Sequence, residues 1–305
     1  METAVITGAS GFVGSHLVDE LLNRGYHVIA LVQKGFENQM KNRENVTTIG
    51  FELDNVMEIV EILKNLKPKY FYHFAWAGPS GEARADTKLQ LQNAQWTIDC
   101  IRLAKEVGCE RFINAGSIME SETWAAITKA GNKPGLGYIY GSAKLVAHAM
   151  AMPVAASIGI DLIWAQITNT YGVGELSPRM VNTTLRKVIR GEAPQFTAGT
   201  QHYDFVYIDD VARAFYLIGK NGKPFNSYLI GSGKAKALKE FLIEMKESVA
   251  PDLDFIFGDI PFTGVDLPLS EFDCSKTEKD TGFKAEISFS EGTRRTIEWL
   301  KEEEK

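Results

Sequence analysis

Cysteines are scarce in this sequence and long apolar runs are absent. Only Cys100, Cys109 and Cys274 occur among 305 residues, no two of them form a C-x-x-C unit, and the five histidines lack metal-ligand spacing. This usage is typical of a reducing compartment and predicts no structural metal site. No apolar run approaches the about 18 residues of a spanning helix, and no basic segment precedes the first strand-like run. We therefore expect a cytoplasmic protein with no membrane partner.

An excess of positive charge is also missing. Lys and Arg number 33 against 39 Asp and Glu, so the formal net charge is −6. A general nucleic-acid binder would usually be basic, so no nucleic-acid partner is expected. The 45% apolar and 24% charged residues are ordinary globular values. A chain of this length stands at the size where one core begins to divide into two.

Short β-branched runs alternate with longer helical patterns in the first half of the chain. The predicted strands are residues 4–7, 27–32, 70–75, 111–115 and 161–167. The predicted helices are 15–23, 55–66, 89–107 and 140–157, the last kinked or interrupted by Pro153. This alternation predicts an α/β fold with a Rossmann-like, doubly wound parallel sheet. Ligands of such sheets bind at the carboxyl ends of the strands.

The alternation loosens after residue 167, where Gly, Pro and Arg become frequent. A returning strand at 205–208 and a helix at 209–219 follow. We predict a dinucleotide-binding domain of residues 1–166, with a return segment at about 204–231. Residues 167–203 and 232–305 then form a smaller, interleaved substrate-binding lobe.

Glycines punctuate the junction between the first strand and the first helix, in Thr7-Gly8-Ala9-Ser10-Gly11-Phe12-Val13-Gly14. Glycine permits a tight turn and close backbone approach to a diphosphate, which the helix N-terminus then faces. The G-x-x-G-x-x-G spacing is one residue longer than the G-x-G-x-x-G dinucleotide fingerprint. In this strand–helix context it predicts a dinucleotide site rather than a glycine turn without a ligand.

The end of the second strand lacks an acidic residue and reads Ala30-Leu31-Val32-Gln33-Lys34-Gly35. An acid there binds the ribose 2′-hydroxyl of NAD, whereas a cation accommodates the 2′-phosphate of NADP. Lys34 therefore favours NADP modestly over NAD, unless it is a solvated loop lysine.

Tyr140 and Lys144 are four residues apart in a predicted helix and share one face. An ammonium near a phenol lowers the phenol pKa from about 10, so that tyrosine can act as a general acid or base. Tyr216 and Lys220 have the same spacing but stand at a predicted helix end, and we interpret them as structural. Ser117 follows the fourth strand, where its hydroxyl can bond a substrate oxygen or simply cap a turn.

These motifs together resemble the extended short-chain dehydrogenase/reductases, in the NAD-dependent epimerase/dehydratase group that acts mainly on nucleotide sugars. The resemblance covers nearly the whole chain. It rests on the glycine run, Ser117, Tyr140 and Lys144, and on four further segments: His73-Phe74-Ala75-Trp76-Ala77-Gly78, Asn93, Asn169-Thr170-Tyr171-Gly172 and Tyr203-Asp204-Phe205-Val206-Tyr207-Ile208-Asp209-Asp210-Val211-Ala212.

The resemblance implies a role for each matching residue. Tyr140 moves the proton, Lys144 lowers its pKa and binds the nicotinamide ribose, Ser117 orients the reacting oxygen, and Asn93 supports Lys144. Asn169 contacts substrate or cofactor. The cofactor-binding set is Gly8, Gly11, Phe12, Val13, Gly14, Lys34, Ala75, Trp76, Tyr140 and Lys144. A homodimer through the helices at 89–107 and 140–157 is implied as well.

The sequence also departs from the family's pattern. The Thr-Asp-Glu run of dehydratases is replaced by Ser117-Ile118-Met119, which disfavours water elimination. Two arginines that often bind the substrate diphosphate are replaced by Tyr203 and Thr263. The substrate can also be a sugar without a nucleotide. Alternatively, a group of four cations binds the diphosphate in place of these arginines, or simply forms a solvated helix face. That group is Arg179, Arg186, Lys187 and Arg190.

Three functions fit these observations. The favoured one is a reductase in which NADPH delivers hydride to a keto group of a sugar or nucleotide sugar and Tyr140 protonates the product. The alternative is a nucleotide-sugar epimerase that retains NAD. A non-catalytic dinucleotide-binding sensor is the third, and the presence of Ser117, Tyr140 and Lys144 counts against it.

Overall fold

The computed structural model describes residues 1–40 and 43–304. Its strands are β1 Thr3–Thr7, β2 His27–Gln33, β3 Val46–Phe51, β4 Tyr70–His73, β5 Arg111–Ser117, β6 Asp161–Ile167, β7 Asn169–Tyr171, β8 Gln195–Phe196, β9 His202–Tyr203, β10 Phe205–Tyr207, β11 Asn226–Ile230, β12 Lys236–Ala237 and β13 Ile256–Phe257. Its α-helices are α1 Phe12–Asn23, α2 Val60–Leu66, α3 Thr87–Glu106, α4 Met119–Thr128, α5 Ile139–Ile158, α6 Met180–Ile189, α7 Ile208–Asn221, α8 Leu238–Val249, α9 Ser275–Thr281 and α10 Phe289–Glu303.

Seven strands form one parallel sheet in the order β3-β2-β1-β4-β5-β6-β11. The order reverses between β1 and β4, whose carboxyl ends therefore open a crevice at the switch point of the sheet. This arrangement confirms the predicted α/β fold. The glycine run follows β1, and Ser117 ends β5, so both lie at the same edge.

Alternating side chains of the central strands supply two apolar layers, one on each face of the sheet. Val5 packs on the face covered by α3 and α5, whereas Ala4 and Ile6 pack on the face covered by α1 and α7. No helix within residues 1–40 and 43–304 is long and apolar enough to cross a membrane. The homodimer through α3 and α5 stays a prediction.

The structure differs from the predicted elements at several places. Strand β3 and helix α4 were not predicted, and β10 pairs with the short β7 instead of returning to the main sheet. The strand that returns is β11, which pairs with β6 at the edge. Helix α5 continues through Pro153, which lies on the exposed side where an unpaired carbonyl can be hydrated. The domain limits remain a prediction.

Candidate active site

The glycine turn after β1 is closed by backbone contacts that exclude a side chain. Gly8 adopts a φ of +66°, and the Gly11 N–H donates to the Gly8 carbonyl at 3.0 Å. A Cβ on Gly14 would lie 2.1 Å from the same Gly8 oxygen. The turn therefore exposes bare backbone at the N-terminus of α1, as a diphosphate cradle requires.

Replacing Gly14 with Ala tests this cradle. The new methyl group would overlap a backbone oxygen, which cannot rotate away, so the turn must open. We expect the affinity for NAD to fall about tenfold or more, from the usual strain of an overpacked site. Titration calorimetry measures this directly. Gly135→Ala is the matched control, because a Cβ there has open space. Unchanged NAD affinity in Gly14→Ala would contradict the assignment.

Two adjoining cavities meet at Tyr140. The larger, of about 750 Å³, is lined by the glycine turn and by Gln33, Glu52, Asp54, Ala75, Trp76, Ser117, Tyr140, Lys144, Thr168, Thr170, Glu175 and Arg179, among others. The smaller, of about 390 Å³, is lined by Arg84, Ser117, Tyr140, Asn169, Arg179 and Tyr203, among others. Ser117 and Tyr140 therefore stand at the junction, where molecules in the two cavities would touch.

Tyr140 is half-buried and surrounded by groups that act on its hydroxyl. Burial raises its pKa, while Arg179, Arg84 and a hydrogen bond with the Ser117 side chain lower it, with a net rise. The lowering of the Tyr140 pKa by Lys144 stays a prediction. The Lys144 ammonium lies 5.9 Å from the Tyr140 ring centroid, and the cations that favour the phenolate are the two arginines.

Lys144 is on α5, is almost completely buried and lies against the carboxyl end of β5. Its Nζ donates to the Ala115 carbonyl at 2.8 Å and lies 3.7 Å from the centre of the Trp76 ring. Burial lowers its pKa to about 7, although the nearby Glu120 opposes this. Its ammonium faces the larger cavity with donors left, so it can bind a cofactor oxygen there.

Glu120 is a buried carboxylate that sequence reasoning missed. Its Oε1 accepts the Ser117 N–H at 2.9 Å and the Trp164 indole N–H at 3.0 Å. Its Oε2 accepts from Gln166 at 3.1 Å and lies 2.8 Å from His148 Nδ1. It thus ties the carboxyl end of β5 to β6 and α5. A signal was present, because Ser117-x-x-Glu120 has the spacing of a helix capping box.

Asn93 holds the loop after β4 rather than Lys144 directly. Its side chain accepts the Ala77 N–H at 2.7 Å and donates to the Ala77 carbonyl at 2.9 Å. A Thr7 hydroxyl fixes the start of the same loop, accepting the N–H groups of Phe74 and Ala75 at 3.2 Å. Both contacts position Ala75 and Trp76 along the larger cavity. Support of Lys144 by Asn93 stays a prediction.

The other predicted residues are distributed between the two cavities. Asn169 and Tyr203 line the smaller one, and Arg179 lines both. Lys34 is exposed and is not among the residues lining either cavity, whereas its neighbour Gln33 is. Arg84, which was not singled out, lies over the Tyr140 ring with 4.6 Å between its Cζ and the ring centroid. Within the described ranges, no group of three or more His, Cys, Asp or Glu could hold a metal.

Comparison with known proteins identifies the family. The sequence model of the NAD dependent epimerase/dehydratase family matches residues 4–231. The chain belongs to this family. Its membership confirms the predicted family and the prediction of a nicotinamide dinucleotide cofactor, with NAD as the form that the family uses.

Several relatives of this family member are known. It is 28% identical to UDP-glucuronic acid decarboxylase 1 of Arabidopsis thaliana, over 96% of this chain and 68% of that protein. Its fold matches UDP-N-acetylglucosamine 4-epimerase from Methanobrevibacter ruminantium M1, in complex with UDP-N-acetylmuramic acid, with a TM-score of 0.82, 21% identity and 99% of both chains covered. MoeE5 in complex with UDP-glucuronic acid and NAD matches with a TM-score of 0.76, 25% identity and 99% of both chains covered. These relatives lend no support to the reductase reaction favoured from sequence.

Proposed function

We propose that the protein is a nucleotide-sugar epimerase that oxidises and re-reduces one ring carbon while retaining NAD. The observation that carries this proposal is the position of Ser117 and Tyr140 where the two cavities meet, with Lys144 beside them in the larger. A cofactor in the larger cavity and a sugar in the smaller one would approach each other at this point. The nucleotide sugar itself is inferred from the relatives.

The larger cavity suits NAD by the chemistry of its lining. The glycine turn offers bare backbone to a diphosphate, and Gln33, Glu52 and Asp54 line the same cavity. The two carboxylates there disfavour the extra phosphate of NADP. Lys34 lies outside the lining and therefore does not offset their charge. The preference for NADP inferred from Lys34 is therefore not retained. NAD, when bound, supplies a carbon that accepts a hydride and returns it.

The protein's own residues manage the proton and the geometry. Tyr140 takes the proton of the sugar hydroxyl and later returns it, as a general base and then a general acid. The Ser117 hydroxyl holds the reacting oxygen near the phenol, while Arg84 and Arg179 favour the phenolate against the effect of burial. Lys144, which lies above Trp76, would hold the cofactor ribose.

The dinucleotide released from the denatured, freshly purified protein tests this proposal. We expect NAD, and we expect the emptied protein to bind NAD and NADH better than NADP and NADPH. The NAD-loaded protein is then incubated with UDP-glucose, UDP-N-acetylglucosamine and UDP-glucuronic acid, and the products are separated from their epimers. Preferential NADPH binding would instead support the reductase. Binding of no dinucleotide would overturn the cofactor site, and binding without any turnover would favour the sensor.

A further inference from the structure

Arg84 is a half-buried cation that lines the smaller cavity and packs over the ring of Tyr140. It lies in the 3₁₀ turn Glu82–Ala85, in the loop after β4. Across residues 1–40 and 43–304, its guanidinium forms no hydrogen bond and no ion pair, and the ring contact it makes is with the face of Tyr140. A guanidinium carries five donors, and withdrawing them from water without acceptors is unfavourable. An anionic ligand at this point would satisfy them.

The charges around Arg84 do not neutralise it. Burial lowers the pKa of Arg84, and the neighbouring Arg179 adds to this. Within the described part of the chain, Arg179 forms an ion pair with Glu175, with 3.9 Å between Nε and Oε2. Glu122 also faces Arg84, but burial raises the pKa of this carboxyl to about 7, so that it is only partly charged at neutral pH. The smaller cavity therefore presents two guanidinium groups beside Tyr140. The buried carboxylate Glu175 lines it as well, but Glu175 lies next to Arg179 and forms no ion pair with Arg84 among the described residues.

The position of Arg84 indicates which part of a substrate it would meet. Its guanidinium packs over the ring of Tyr140, 4.6 Å from the centroid, and Tyr140 also contacts Ser117. A group held there lies next to the sugar carbon that reacts. When the reacting carbon is distal, the diphosphate of a nucleotide sugar is attached on the opposite side of the sugar ring from that carbon. An anionic substituent of the sugar would therefore lie nearer to Arg84 than the diphosphate does.

We propose that Arg84 binds a carboxylate carried by the sugar and makes the enzyme selective for acidic nucleotide sugars of the uronic-acid kind. This inference rests on the proposed function, because it assumes that the smaller cavity holds the sugar. Arg84 pairs with the carboxylate in the fork geometry that guanidinium groups favour. It is a specificity-determining residue, and the proton transfer remains with Tyr140.

Binding measurements on the NAD-loaded protein test the inference separately from turnover. Titration calorimetry is run with UDP-glucuronic acid, UDP-glucose and UDP. Charge-assisted hydrogen bonds contribute about 1.5–3 kcal/mol, so we expect the acidic sugar to bind about tenfold or more tightly than UDP-glucose. In Arg84→Gln this advantage disappears, while the affinity for UDP-glucose changes little. Arg84→Lys retains part of it.

Arg102→Gln is the matched control, because Arg102 is exposed on α3 and pairs with Asp99. It should leave all three affinities unchanged. An equal loss for UDP-glucose and UDP-glucuronic acid in Arg84→Gln would assign Arg84 to the diphosphate and overturn the carboxylate proposal. Equal wild-type affinity for the two sugars would overturn it too, leaving the proposed function intact. Failure of the wild type to bind even UDP would overturn both.

Discussion

Replacing Tyr140 with Phe is expected to lower turnover by at least about 10²-fold, the smaller end of the loss when a general acid–base group is removed. The phenyl ring still fills the space between Trp76 and Arg84, which both pack against the ring and not against the hydroxyl. NAD affinity should therefore change little. Steady-state kinetics at saturating sugar and a parallel NAD titration separate the two effects.

Tyr216→Phe is the control for this variant, because the chain contains a second Tyr and Lys with the same spacing. Lys220 Nζ donates to the Tyr216 hydroxyl at 3.2 Å on α7, and neither residue is among those lining the cavities. Turnover should stay at the wild-type level, with a stability loss of about 1 kcal/mol from the lost hydrogen bond. Full activity in Tyr140→Phe would remove Tyr140 from the mechanism.

Local patterns in the sequence are sufficient to predict the centre of the fold. The β-branched runs of β1 and β2 and the apolar face of α1 can each be recognised from a few consecutive residues. The glycine turn connects β1 to α1. The edges of the sheet depend on distant partners. Strand β11 becomes the edge strand because it meets β6 some 60 residues earlier in the chain, which no local pattern shows.

The same division holds for the candidate site. Gly14 and Tyr140 were predicted as site residues because each belongs to a motif of fixed spacing on a predicted element. Arg84 stands in a loop without periodicity, and only the fold brings it over a ring on α5. Lys34 was assigned from its place after β2, but the direction of its side chain depends on the loop that follows, and the structure places it outside the cavity lining.

Replacing Glu120 with Ala is expected to destabilise the protein by about 3 kcal/mol or more, because each buried donor that loses its acceptor costs about 1–3 kcal/mol. The Glu120 side chain is only 1% exposed, so water cannot replace it. The substitution leaves the Ser117 N–H, the Trp164 indole N–H and the Gln166 amide without their acceptor, and His148 without its carboxylate. Urea denaturation followed by circular dichroism measures the loss.

Glu120→Gln separates the shape of this side chain from its charge. The amide keeps one oxygen for the Ser117 N–H but turns an NH₂ group toward donors, so we expect a smaller loss of stability than with Ala. The variant also removes the charge that opposes the fall in the Lys144 pKa, so Lys144 should lose its proton at a lower pH. The alkaline limb of binding to NAD would then shift to lower pH in Glu120→Gln. A wild-type pH profile in Glu120→Gln would show that this carboxylate does not act on Lys144. A stability loss under about 1 kcal/mol in Glu120→Ala would show that it does not support the end of β5.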